Sequence, residues 1–184
     1  MKLQEAEQIA IEITGLLKQH FLNYTVCGSI RRKQEEVNDV DIVAIPKPIS
    51  QYHFGDPTLN DTIIKLDSTG SIEAYQMGKR GVSRFLLGDN LKRFFYKGIM
   101  IDLYLASSEN YSCLTLIRTG SADHNRRLAT LAIGKGLKLF ANGDGLCTFK
   151  MKDDKAVLVN VVQNSEEGIL QHLLGRIPKP EERN

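Results

Sequence analysis

The stretch that decides the fold is Cys27-Gly28-Ser29-Ile30-Arg31-Arg32, followed seven residues later by Asp39-Val40-Asp41-Ile42-Val43. The run Tyr24-Thr25-Val26-Cys27 leads into a Gly-Ser turn and two arginines, and a second apolar run opens with two carboxylates spaced i, i+2. Side chains alternate faces along a strand, so Asp39 and Asp41 point the same way. Like charges that close repel each other unless something positive sits between them. A divalent metal meets that need, and a Gly-Ser turn beside it suits a phosphate.

A third carboxylate strengthens the pattern. Asp102 lies inside Ile99-Met100-Ile101-Asp102-Leu103-Tyr104-Leu105, a strand that is otherwise almost wholly apolar. An ionised aspartate there is costly unless paired or metal-bound. Two outcomes stay open: an edge-facing Asp102 paired with one of the arginines from 79–93, or a third metal ligand. Three carboxylates together make an oxygen-rich site that suits Mg²⁺ held jointly by protein and substrate phosphates.

Outward from this core, the pattern predicts a helix over 4–20, from the helical spacing of Ala6, Ile9, Ala10, Ile13, Leu16 and Leu17. Strands follow over 23–28 and 39–45, the second stopped by Pro46 and Pro48. A loop over 46–57 and a helix from Thr58 to Leu66 precede strands at 71–77, 82–87, 91–97 and 99–105, joined by Gly-containing turns. Strands with one or two packed helices make this first lobe α+β. Beyond Ala106 a helix is expected over Tyr111–Ile117, then a second capped by Ser121 and stopped near Gly134 and Gly136. Strands at about 146–150 and 156–161, a helix near 165–174 and a polar tail through Arg183 complete a small α/β lobe. The expected domains are 1–106 and 107–184.

The 184 residues are 42% hydrophobic and 25% charged, ordinary values for a soluble globular chain. No apolar run approaches the ~20 residues a bilayer span needs, so no membrane partner is expected. The polar, acidic start (Met1-Lys2-Leu3-Gln4-Glu5) is no secretory signal. Cys27, Cys113 and Cys147 include no CxxC pair and fit reduced thiols in a cytoplasmic or host-cell interior. The net charge is only +2, but residues 79–97 carry a local excess of five positive charges and residues 118–138 an excess of four. Such segments either follow a phosphate backbone or are solvated surface charge. His20, His53 and His172 have no ligand spacing and are read as surface or loop residues.

Gly28-Ser29-x-Arg31-Arg32 followed by Asp39-x-Asp41 resembles the nucleotidyltransferase superfamily signature, and in particular the family X DNA polymerases. Three further segments match in the family's order. Arg80-Gly81-Val82-Ser83-Arg84-Phe85 resembles the segment that holds the primer backbone, and Ile101-Asp102-Leu103 the strand bearing the third catalytic carboxylate. Thr119-Gly120-Ser121-x-x-His124-Asn125 resembles the motif that closes over the incoming nucleotide, and Pro180-Glu181-Glu182-Arg183 the closing Pro-x-x-Arg. The resemblance runs from about residue 20 to the end and implies a nucleotidyltransferase palm followed by a thumb.

By resemblance, Asp39 and Asp41 bridge two Mg²⁺ ions, for which Mn²⁺ substitutes, and Asp102 binds the catalytic one. Gly28, Ser29 and Arg32 are implied to bind the β- and γ-phosphates through amide, hydroxyl and guanidinium. Gly120 and Ser121 would lie against the sugar, joined in the family by a non-prolyl cis peptide, and Asn125 would contact the minor-groove edge of the base. Arg80, Ser83 and Arg84 would grip primer phosphates, and Arg126 or Arg127 the template strand. The implied partners are primer-template or gapped DNA and a dNTP, with the chain a monomer.

Departures from the family pattern carry expectations of their own. Ile117-Arg118 replaces an aromatic pair where ribose is excluded, so readier use of ribonucleotides is expected. Met100 stands where an arginine precedes the third carboxylate by two residues, and Ala129 where an arginine reads the template. Lyase and phosphoesterase domains are not expected in a chain of this length, which resembles the reduced palm-and-thumb form known from viruses. The leading reading is a template-directed polymerase of short gaps or ends. The alternatives are a non-templated nucleotidyltransferase acting on a small molecule, RNA end or protein, and a non-catalytic binding module.

Overall fold

A computed structural model of the chain describes residues 1–51, 53, 55–74 and 86–184. It divides into two compact units, Met1–Leu105 and Ala106–Asn184. Both mix helices and strands, so the architecture is α+β with a mixed sheet, in line with the sequence.

In the first unit α1 (Leu3–Leu17) buries Ala6, Ile9, Ala10, Ile13 and Leu17 at helical spacing and runs into a 3₁₀ turn, Lys18–His20. Then come β1 (Phe21–Val26), α2 (Gly28–Arg31), β2 (Asp39–Pro46) and α3 (Leu59–Ser68). A capping box opens α3: Thr58 Oγ1 accepts from the Asp61 amide (3.2 Å) and Asp61 Oδ2 from the Thr58 amide (2.9 Å). The remaining strands are β3 (Glu73–Ala74), β4 (Leu86–Leu87), β5 (Leu91–Tyr96) and β6 (Ile99–Leu105). Among the described residues the sheet runs β1-β2-β6-β5-β3, with β4 also on β5. Among the described residues only β2 and β6 of this sheet pair in parallel; β1 with β2, and β5 with β6, β3 and β4, are antiparallel.

Register divides this sheet into two faces. Val40 lies opposite Ile101, Ile42 opposite Leu103, and Phe94 opposite Ile101. These side chains join Ile9, Ile13 and Leu17 of α1 and Ile63 of α3 in one core. The alternate residues Asp39, Asp41, Arg93, Met100, Asp102 and Tyr104 therefore project from the opposite face.

The second unit contains α4 (Tyr111–Thr119), α5 (Ala122–Gly134), β7 (Lys138–Phe140), β8 (Gly145–Lys152), β9 (Lys155–Gln163) and α6 (Glu166–Leu174). Its antiparallel sheet runs β7-β8-β9, and its own core gathers Cys113, Leu116, Leu128, Ala132, Leu146, Ile169 and Leu170. Among the described residues no helix is long and apolar enough to cross a membrane.

One expectation, that for His20, needs correction, and two features go beyond the sequence reading. The three-residue β7 is too short to show alternation in the sequence. The polar tail ends on a buried anchor: Arg183 is 3% exposed, ion-paired with Glu166, and donates to the Pro178 carbonyl from Nε (3.1 Å) and Nη2 (2.9 Å). His20 is likewise no surface residue; it is 2% exposed, with Nε2 2.8 Å from Thr62 Oγ1. In both cases a polar side chain is buried because a partner distant in sequence satisfies it.

Candidate active site

The first strand, β1, ends at Val26, and the Cys27 amide donates to the Asp41 carbonyl (2.8 Å). That bond sets the Gly-Ser turn beside the start of β2. Gly28 takes φ +58°, and a Cβ built there would fall inside contact distance of Asp41 Oδ2, 3.1 Å from Cγ and 3.3 Å from Cβ. The turn thus packs its backbone against a site carboxylate, a reason for glycine that the phosphate reading did not contain. Ser29 Oγ is buried with no hydrogen-bond partner among the described residues.

Asp41 lies directly opposite Asp102 across the parallel β2–β6 pair, and Asp39 opposite Met100. Burial pushes the Asp39 carboxyl above its ordinary range, and the nearby Asp102 charge adds to this; Arg93 and Arg32 oppose it. Burial holds the Arg32 pKa below its ordinary value, and the nearby Asp41 and Asp39 charges oppose that shift. Excess negative charge, an orphaned buried hydroxyl and an all-oxygen donor set fit a hard divalent cation and a phosphate.

Asp102 is 3% exposed and already engaged. Arg93 Nε donates to its Oδ1 (2.5 Å), Arg93 Nη2 to its Oδ2 (2.6 Å), and Tyr104 Oη to Oδ2 (3.2 Å). Pairing with an arginine from 79–93 was one of the two outcomes open for this residue. Among the described residues no three His, Cys, Asp or Glu side chains stand close enough to hold a metal ion. The carboxylates share a face without converging on one point.

Arg93 entered the sequence reading as one charge in a basic segment and as one of several arginines open to pairing with Asp102, yet its register was readable. Lys97 (φ +50°) and Gly98 (φ +77°) form the two-residue turn between β5 and β6. Such a turn sets Tyr96 opposite Ile99, and counting back sets Arg93 opposite Asp102. The other described basic residues there are engaged too: Lys92 is buried with Nζ on the Gly88 carbonyl (2.8 Å), and Lys97 pairs with Glu12 (2.6 Å). Arg80, Ser83 and Arg84 lie outside the described residues.

In the second unit Ser121 caps α5, its Oγ accepting from the His124 amide (3.1 Å). The Ser121 amide donates to the Arg183 carbonyl (3.0 Å), so the tail is tied to this turn. Asn125 folds over the end of α4, donating from Nδ2 to the carbonyls of Ile117 (2.8 Å) and Gly120 (3.2 Å). A Cβ at Gly120 would meet Asn125 Oδ1 and His124 Cδ2, both at 2.7 Å. No cis peptide occurs among the described residues, which corrects the expectation for Gly120–Ser121. The trans form fits the extended geometry of both residues and spares the ~3–4 kcal/mol a non-prolyl cis bond costs. Arg126 and Arg127 are exposed on α5, Arg126 paired with Asp123.

The first unit thus carries facing carboxylates beside a Gly-Ser turn on a mixed sheet, and the second combines helices with an antiparallel sheet. Residues 114–184 match the family described as the DNA polymerase beta thumb. That match supports a likeness to family X DNA polymerases, and a thumb of this kind implies DNA binding.

Proposed function

We propose that the chain is a template-directed DNA polymerase that extends a primer 3′-hydroxyl in short gaps or at ends. The observation that carries this reading is the Asp41–Asp102 juxtaposition beside Gly28 and the unpartnered hydroxyl of Ser29, in a chain whose second unit matches a polymerase thumb. Asp39 and Asp41 would hold two Mg²⁺ ions and Asp102 the catalytic one. Bound there, such ions supply Lewis-acid activation of a hydroxyl and neutralise phosphate charge.

The chain's own residues do the rest. Ser29 Oγ donates to a phosphate oxygen, and Arg32, beside both β2 carboxylates, opposes the triphosphate charge. Gly28 keeps side-chain bulk away from Asp41. Gly120, Ser121 and Asn125 serve the incoming nucleotide. Arg126 and Arg127 on α5, together with Arg80, Ser83 and Arg84, contact the DNA backbone, the term that sets affinity without reading sequence. The chain works as a monomer in a reducing interior, where its three free thiols persist.

The test is gapped-primer extension with Mg²⁺, comparing wild type with Asp102→Ala and dNTP with rNTP. Template-matched extension lost in the variant is expected, with ribonucleotides admitted more readily than by a family relative that has the aromatic pair. Unchanged extension by Asp102→Ala rejects the metal-ligand role, and untemplated addition rejects the polymerase reading.

A further inference from the structure

Arg93, Asp102 and Asp41 stand directly opposite one another across β5, β6 and β2, so their side chains form one lateral row on the open face. Within that row both oxygens of Asp102 are turned on the Arg93 fork, at 2.5 and 2.6 Å, and Tyr104 takes a further position on Oδ2. A carboxylate offers about four lone-pair sites, of which these three bonds leave one. We propose that Arg93 is a built-in counter-cation that holds Asp102 while the site is without metal and yields it when a divalent ion arrives, thereby setting the affinity of the site. This rests on the reading of Asp39, Asp41 and Asp102 as metal ligands.

Three observations support the exchange. Asp102 is 3% exposed, so in the metal-free protein its charge requires a partner. The planar guanidinium fork matches a carboxylate in two parallel bonds, which a lysine could not supply. The Arg93 side chain is 26% exposed against 4% for Asp102, so the arginine can turn toward water while the aspartate stays. A cation and a guanidinium sharing the same two oxygens repel, so the Arg93 fork and a metal ion compete for Asp102. Arg93 is thus a positioning residue that acts through Asp102.

The test is Mn²⁺ binding to the full chain without nucleotide or DNA, followed by the resonance signal of free Mn²⁺. Arg93→Gln is expected to bind Mn²⁺ about tenfold more tightly, the gain from no longer breaking one charge-assisted hydrogen bond. Arg93→Lys falls between and decides the matter should Arg93→Gln not fold. The gain disappears when Asp102→Asn is added, which a purely structural role would not produce. Without metal, Arg93→Gln melts lower than wild type and recovers on adding Mn²⁺. Equal or weaker Mn²⁺ binding by both Arg93 variants, with binding still lost in Asp39→Asn, overturns the counter-cation while leaving the metal site standing. Mn²⁺ binding absent from every variant, or indifferent to Asp39→Asn and Asp102→Asn, overturns the metal reading and this inference with it.

Discussion

Replacing Gly28 by alanine tests the contact on which the site is built. Two terms contribute. At φ +58° a residue with a Cβ costs about 1–2 kcal/mol over glycine. The new methyl also falls inside contact distance of Asp41 Oδ2, and overpacking of that kind costs about 1–3 kcal/mol. The middle of the sum is about 3.5 kcal/mol, a fall in melting temperature of about 7–14 °C for a chain of this size. Part of the strain can be relieved by rotating the Asp41 carboxylate, and a displacement of ~1 Å at a reacting centre costs about 10²-fold in rate.

Denaturant melts of Gly28→Ala, Asp41→Ala and the double variant separate the two terms. Asp41→Ala removes the colliding oxygen, so Gly28→Ala should cost only the backbone term in that background, with a coupling of about 1–3 kcal/mol. Gly15→Ala is the control. Gly15 sits exposed in α1 with open space where a methyl would project, so alanine there should stabilise by about 0.5–1 kcal/mol. Equal costs for Gly28→Ala in both backgrounds would refute the steric argument.

Two further outcomes are expected. Burial and the Lys47 charge hold the His20 pKa below its ordinary value, so the unfolded chain takes up a proton first as pH falls. Stability is full above about pH 6.5 and declines as pH drops through the depressed native value. His20→Gln should cost about 1 kcal/mol at pH 8 for the Thr62 contact and flatten the decline; a variant with wild-type pH dependence rejects the assignment. Arg183→Ala removes the ion pair with Glu166 and both donations to the Pro178 carbonyl and should destabilise the second unit by about 3 kcal/mol in urea melts, whereas Arg183→Met with Glu166→Gln should recover part of it. A loss below about 1 kcal/mol for Arg183→Ala means the tail is not anchored by this pair.

Elements set by local chemistry were legible in the sequence. The apolar periodicity of α1 and the Ser121 cap act within a turn or two of helix, and β5 and β6 were each readable as a strand from their own residues. The aspartates of β2 were legible because an i, i+2 pair on a strand must share a face. What stayed hidden was each buried polar side chain whose partner lies far along the chain. His20 meets Thr62, and Arg183 meets Glu166, pairings that no spacing rule reports. Gly28 was readable as a glycine-requiring turn, but the carboxylate pressed against it comes from another strand.

The basic segment around β5 shows why a tally of charge along a chain is a poor guide to a surface. Its local excess suggested a path for a phosphate backbone, yet a strand sends neighbouring residues to opposite faces. Lys92 goes to the core side and spends its charge on the Gly88 carbonyl; Arg93 goes to the open face and meets Asp102; Lys97, past the strand end, meets Glu12. One consequence reaches the site itself. Met100, on the same strand as Asp102, supplies no charge, and the cation beside the buried carboxylate comes from the adjacent strand through a two-residue turn. Lengthening that turn by one residue would shift the register and send Arg93 to the core side, leaving Asp102 buried without its partner. An insertion after Gly98 should therefore damage the site more than the loss of any single exposed arginine on α5.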